Sequence, residues 1–221
     1  GDATEVFQEG LRVRPMKLYE AGVLNADIRD IFLDNSRIPD EMWGDFQAML
    51  AALEGMERRM KQLCQRYSVD DVRQGMNDVI DLAEQKARSV IARIPDGTYS
   101  FADYLEGLVD KQYTFINTTM TVSGDTVYFD FDGTDPQIPA AYNLTTGALT
   151  HPYLVQAMVF LILTMEPSTP RNMGLLKPIK TNVPRGTIIN AVFPAAGGSR
   201  VASSARTYDT LLGCLQQALQ G

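Results

Sequence analysis

The string Phe129-Asp130-Phe131-Asp132-Gly133-Thr134 sets two carboxylates two residues apart at the end of an apolar strand. That is the pattern of an Asp-nucleophile phosphatase, in which one carboxylate attacks phosphorus, the other protonates the leaving group and Mg²⁺ offsets their charge. The same chemistry needs downstream carboxylates to hold the metal. After Asp135 only Glu166 and Asp209 remain, and Asp135-Pro136 blocks a helix directly after the strand. An EF-hand fails at the same place, because Asp135 and Ala141 stand where Gly and Glu are required. A strand-end loop is therefore the favoured reading, with the phosphatase as a remote alternative.

Two other stretches carry chemical potential. Gly197-Gly198-Ser199-Arg200, with Ser203 and Ser204 beside it, could let backbone N–H groups approach an anion, although a flexible turn before a last helix explains the glycines equally well. His151 precedes Pro152 at a helix start, where an imidazole could act as a base, but no Ser or Asp partner is visible. Trp43 reads as a packing residue. The basic charge is concentrated late: residues 167–221 contain Arg171, Lys177, Lys180, Arg185, Arg200 and Arg206 against Asp209 alone, within a chain of net charge −7. Such a flank either solvates and faces the acidic remainder or presents cations to a phosphoryl or carboxylate group, for which Arg185 and Arg200 are the candidates.

Helices and strands that would position these groups follow from periodicity. Met42, Phe46, Met49, Leu53, Met56, Met60 and Leu63 recur in steps of four and three, a heptad seam on one long helix. The sulfur content of that seam reads as gap-filling core. Ser68 with Asp71 forms a capping-box-like start to a second helix, whose seam runs Val69, Val72, Met76, Val79, Ala83, Ala87, Val90 and Ile94. The short turn between the stripes predicts an antiparallel helical hairpin. Beyond Pro95-Asp96-Gly97 the period changes to two. Residues 115–122 and 126–131 flank Ser123-Gly124-Asp125 as a β-hairpin, with residues 98–105 as a third strand. Residues 150–165 predict a buried helix, 187–193 a strand and 207–219 a final helix. The class is α+β: a long antiparallel helical hairpin, then an antiparallel β-hairpin or sheet with packed helices. Segments fall at 1–37, 38–95 and 96–221.

The chain has 221 residues, 45% of them apolar, one His and two Cys, enough to withdraw roughly 70% of its unfolded surface from water. The acidic balance argues against a general nucleic-acid binder. Cys64 and Cys214 offer no CxxC spacing and, with His151, no four-ligand zinc set, which fits a reducing, cytoplasmic compartment. The most apolar run, Leu154 to Leu163, is about half the ~20 residues of a spanning helix, so no membrane segment is expected. The opening Gly1-Asp2-Ala3 shows neither a Met nor a signal peptide, and suggests a piece of something longer.

Taken in order, the residues resemble a known family. Glu9-Gly10-Leu11-Arg12-Val13-Arg14-Pro15-Met16-Lys17-Leu18-Tyr19, Gly22-Val23-Leu24-Asn25 and Gly44-Asp45-Phe46-Gln47-Ala48 are similar to the middle of the hydantoinase B/oxoprolinase family. So are Arg58-Arg59, Arg66-Tyr67, Pro95-Asp96-Gly97-Thr98-Tyr99, the stretch from Asp130 through Gln137, and Pro184-Arg185-Gly186-Thr187-Ile188-Ile189-Asn190-Ala191. The ordered set covers nearly the whole chain. The resemblance implies a B-type subunit, or the α-type subunit of a ketone carboxylase. Such a subunit works in a hetero-oligomer with an A-type subunit that uses ATP to phosphorylate a poorly electrophilic carbonyl, on a cyclic amide or ketone. It further implies a divalent metal (Mn, Zn or Fe) and ATP for the intact enzyme, with the His/Asp metal cluster upstream of Glu9, no metal ligand in this chain, and an inactive isolated chain. Glu9, Arg12 and Lys17, which follow that segment, become the candidates for polar support of the site. Arg14 stands where many members have Pro, which argues against a catalytic part for it. Phe7, Gln8, Met16 and the Arg58-Arg59 pair lean to the ketone carboxylase branch. The rival class is a non-catalytic subunit-assembly module using the heptad seam and basic tail.

Overall fold

Ser68 and Asp71 satisfy each other at a helix start: Asp71 N–H donates to Ser68 Oγ at 3.0 Å and Ser68 N–H to Asp71 Oδ2 at 3.1 Å. This is the reciprocal cap that their spacing predicts. The structure, a computed structural model, describes residues 2–106, 113–147 and 149–220, in two compact units, Gly10–Met76 and Gly1–Glu9 with Asn77–Gly221.

In the first unit a two-strand hairpin, β1 (Tyr19–Glu20) and β2 (Val23–Leu24), turns on Ala21 and Gly22, both at positive φ. That is the backbone which matches strand twist in a tight hairpin. Asn25 caps α1 (Ala26–Asp34) by accepting from Ile28 N–H at 3.3 Å, and Pro39 opens α2 (Pro39–Arg66). Phe32 of α1 meets Phe46 of α2 edge-on at 5.1 Å, with Trp43 6.3 Å from Phe46, so Trp43 packs as expected.

The helix α3 (Val69–Ile91) forms where its periodicity puts it. Two such stripes cannot bury one another completely, so part of each is left for another element or subunit to cover. Met49, Leu53, Met56, Met60 and Leu63 of α2 are 37–59% exposed, and of the α3 seam only the part from Ala83 onward is buried, with Val69, Met76 and Val79 at 48–56%. A heptad stripe states that a face is apolar; it does not state what covers it.

The second unit is built on a four-stranded sheet in the order β3 (Gly97–Glu106), β4 (Tyr113–Ser123), β5 (Thr126–Asp130) and β6 (Ile179–Asn182). The β4 residues alternate strictly, with Thr114, Ile116, Thr118, Met120 and Val122 inward, as a half-buried strand requires. β3, β4 and β5 pair antiparallel as predicted, but β6 joins β5 in parallel, so the sheet is mixed rather than antiparallel. A short 3₁₀ turn, Pro152–Leu154, leads into α4 (Gln156–Met165), and α5 (Val201–Gln220) lies on β3 and β4. Thr118 and Thr210 hydroxyls meet at 2.7 Å in that buried layer. The core joins Val90 and Ile91 of α3 to Met120, Phe129, Phe131, Met158, Ile162 and Leu211. No helix among the described residues is long and apolar enough to cross a membrane.

The strand expected at 187–193 is not one. Thr187 makes a single bridge to Pro136, and the rest turns back on itself, with Ile188 and Ile189 fully buried. Its backbone is satisfied by loops instead: Ile188 N–H donates to Asp135 O at 3.0 Å and Leu144 N–H to Ile188 O at 2.7 Å. An apolar run bounded by Gly186 and Pro194 specifies burial, and here a loop supplies it.

Cys214 is fully buried on α5 and burial pushes its thiol up to about 11, whereas Cys64 on α2 is half-buried. The thiolate is the reactive form. Iodoacetamide at pH 8 is therefore expected to label Cys64 in the folded chain and Cys214 only in denaturant, read by peptide mass spectrometry; equal labelling rates would contradict this packing.

Candidate functional site

The Asp-rich loop is consumed by its own architecture. Asp130 Oδ1 accepts from Asp132 N–H at 3.0 Å and from Asn182 Nδ2 at 2.8 Å, and Asp135 Oδ2 accepts from Phe115 N–H at 2.8 Å. Asn117 Nδ2 donates to Asp132 O at 2.6 Å, and Gly133 turns the chain at φ +82°. These carboxylates end a strand and pin its return, which is the favoured reading from sequence. Among the described residues no three His, Cys, Asp or Glu side chains converge in a metal-holding group.

The polar chemistry gathers instead where residues 138–147, 151–153 and 190–200 meet. Asn143, fully buried, holds these loops together. Its Oδ1 accepts Ile138 N–H at 2.9 Å, while the two N–H of Nδ2 are shared among Ile138 O at 2.8 Å, Ala140 O at 2.7 Å and Ala196 O at 2.9 Å. Ser199 N–H donates to Ala141 O at 2.7 Å and Ser203 Oγ to Tyr142 O at 2.5 Å, binding the start of α5 to the same loop. Gly197 lies so close that a Cβ there would meet Asn143 O at 2.7 Å.

Glu9 closes the arrangement. Its carboxylate accepts the N–H of Gly197 at 3.0 and 2.9 Å and that of Gly198 in a very short contact. Two successive backbone donors aimed at one anion form a nest, and here a side chain of the same protein fills it. Glu9 is thus the sequence candidate that the structure places beside the loops. Arg12 and Lys17 belong to the other compact unit, where Lys17 pairs with Glu20 at 3.0 Å on an exposed face.

The late basic stretch divides by partner. Lys177 pairs with Asp81 at 2.8 Å and Glu84 at 2.9 Å, and Arg206 with Asp103 at 2.6 Å and Asp209 at 3.2 Å. Glu84, bonded to Lys177 and then Arg88, is held below the ordinary carboxylate value. Arg185 and Arg200 form no ion pair among the described residues and border separate cavities. Arg185 lines one of about 410 Å³ with Gly147, Asn190, Ala191, Val192 and Phe193. Arg200 lines one of about 360 Å³ with Leu144, Thr145, Thr146, His151 and Tyr153.

In the second cavity Tyr153 N–H donates to His151 Nδ1 at 3.2 Å, and the two rings meet at 5.1 Å. A neutral imidazole that accepts at Nδ1 carries its proton on Nε2, and burial lowers the His151 value further below its ordinary one. From sequence, His151 stood alone. That His151 and Arg200 line one cavity has no local signal, since 49 residues separate them; the single hint was the Gly197-to-Arg200 turn read as an anion approach.

Comparison with known proteins gives a consistent relationship. The pattern of the family described as hydantoinase B/oxoprolinase matches residues 1–221. A protein assigned as the B-type subunit of a D-/L-hydantoinase from Pseudomonas sp. (strain NS671) is 32% identical over 226 residues, covering 99% of this chain and 38% of that protein. The crystal structure of ATP-dependent caprolactamase from Pseudomonas jessenii superposes with a TM-score of 0.81 at 29% identity, covering 99% of this chain and 37% of that one. A nucleotide-free acetone carboxylase structure shares the fold, with a TM-score of 0.84 at 15% identity over 98% of this chain and 30% of that one. The chain therefore spans less than two fifths of the relatives it matches.

Proposed function

The chain belongs to the hydantoinase B/oxoprolinase family, and from that premise we propose that it is part of a B-type subunit of an ATP-dependent cyclic-amide hydrolase. The observation that carries this reading is the correspondence, in sequence and backbone together, with a caprolactamase and a hydantoinase subunit along 99% of this chain. Lactams and hydantoins share a ring amide whose carbonyl is a poor electrophile. On this reading the partner, an A-type subunit, transfers a phosphoryl group from ATP to that carbonyl oxygen, and the B-type subunit completes hydrolysis. Mn, Zn or Fe and ATP belong to the intact cytoplasmic hetero-oligomer. What this chain contributes is the loop assembly fixed by Asn143 and Glu9. The carboxylase leaning of Phe7, Gln8, Met16 and Arg58-Arg59 keeps a ketone carboxylase as the alternative reaction.

The exposed seam of α2 favours a second reading, in which this part serves assembly alone. The test is co-expression of the longer protein that contains this chain with the A-type subunit, followed by ATP-turnover assays with hydantoin, caprolactam, 5-oxoproline, or acetophenone plus bicarbonate. Co-purification and ATP hydrolysis stimulated by a cyclic amide are expected, with Glu9→Ala lowering that turnover. Stimulation only by ketone and bicarbonate would move the chain to the carboxylase branch. Co-purification with turnover indifferent to Glu9→Ala would favour the assembly reading.

A further inference from the structure

The cavity beside α5 has a lining whose chemistry is one-sided. Of its residues, Thr145, Thr146, His151, Tyr153 and Arg200 are polar, and among the described residues no carboxylate lines it. Arg200 spends a single N–H of Nη1 on Gly197 O at 3.1 Å and forms no ion pair among the described residues. A guanidinium has five N–H donors in a planar fork, so the remainder are available to a ligand. His151, with Nδ1 occupied by Tyr153 N–H, offers Nε2–H as a second donor from the other side of the sequence.

Two features strengthen the positive character. Arg200 immediately precedes the 20-residue α5, whose first turn contains no acidic residue, so the unbalanced N–H groups of that terminus add to the guanidinium. The nearby Glu9 carboxylate is already occupied by Gly197 and Gly198 N–H groups and forms no ion pair with Arg200. The turn bearing Arg200 is thereby fixed through Glu9 on one side and Asn143 on the other. A donor set held in place before a ligand arrives loses less entropy on binding.

We propose that this cavity binds a small oxyanion, with Arg200 engaging two of its oxygens and His151 Nε2–H a further one. The ligand class is a carboxylate or a phosphoryl group borne on a small molecule, since both match a planar fork. A volume of about 360 Å³ admits such a group with a few attached atoms. The site stands on this chain's own residues and does not depend on which reaction the family reading assigns.

In the longer protein that contains this chain, the imidazole nitrogens of His151 are assigned by comparing ¹⁵N-histidine-labelled wild type with a His151→Gln variant. The test follows them at pH 7 while inorganic phosphate or acetate is added against sodium chloride of equal ionic strength. A saturable shift of the Nε2 signal with phosphate or acetate and none with chloride is expected; the better of the two identifies the phosphoryl or the carboxylate source. Loss of the fork in Arg200→Gln should weaken the apparent Kd by about tenfold or more, as removal of a charge-assisted pair does. Arg185→Gln, at the separate cavity, should leave it unchanged. Protection of Cys214 from iodoacetamide verifies that each variant is folded. A non-saturable response, an equal response to chloride, or a folded Arg200→Gln that binds as before would each overturn the proposal.

Discussion

Asn143→Ala is expected to cost about 4 kcal/mol of the stability of the sheet-bearing unit, a large part of the 5–15 kcal/mol typical of a domain. The substitution removes one acceptor and two donors from a fully buried position and leaves Ile138 N–H and the carbonyls of Ala140 and Ala196 without their side-chain partner. A buried group so orphaned costs about 1–3 kcal/mol, and the losses accumulate because all lie in one water-poor knot. Asn143→Asp keeps the acceptor but replaces the donors with a buried charge facing carbonyl oxygens, and should be at least as damaging.

The single tryptophan, Trp43, lies in the other compact unit, so its fluorescence is the wrong reporter. Cys214 is the right one. In a Cys64→Ser background, when labelling proceeds through opening of the unit, a loss of about 4 kcal/mol should accelerate iodoacetamide modification roughly 1000-fold. An acceleration below tenfold would mean that the loops near the cavity are held by something other than this amide.

Gly174→Ala is expected to cost about 3 kcal/mol, the upper range of overpacking, because its obstacle is main chain. Gly174 sits in a 3₁₀ turn, Met173–Leu176, pressed against α3. An added Cβ would lie 2.0 Å from Ile80 O and 2.9 Å from both Ala83 Cβ and Asn172 Oδ1. The turn would have to lift, stretching the bond from Asn172 Nδ2 to Val79 O, now 3.0 Å, and the pairs of Lys177 with Asp81 and Glu84. Gly213→Ala supplies the contrast. Its Cβ would meet Phe101 Cγ, the root of the ring, so relief needs a new χ1 rotamer of that half-exposed side chain but no displacement of main chain.

Urea midpoints followed by far-UV circular dichroism should rank Gly174→Ala below Gly213→Ala in stability, with the wild type above both. The reverse order would show that α3 and the turn separate easily. Acid should expose the same network. The folded-state value of Glu84 lies below its unfolded one, so its contribution is complete above the unfolded value and disappears as pH falls through the depressed one.

Much of the local structure was legible. The capping box at Ser68, the heptad stripe of α2 and the alternation of β4 each repeat at the period of their own backbone geometry, which a sequence displays directly. The family was legible for a related reason, since landmarks spread from Glu9 to Ala191 keep their order without any contact being known. Three expectations needed change. Residues 187–193 are a loop, the sheet takes a parallel strand at Ile179–Asn182, and α5 begins at Val201 rather than Thr207.

What the amino-acid order determined by itself, then, was which faces are apolar, where helices and hairpins start, and the family to which the chain belongs. Tertiary structure alone decided that Glu9 fills the nest at Gly197 and Gly198, that Asn143 ties Ile138 to Ala196, and that His151 shares a cavity with Arg200. The reason is physical: periodicity records how each residue meets its neighbours three or four positions away, whereas a carboxylate finding backbone donors 188 residues on is fixed only by the closure of the whole core.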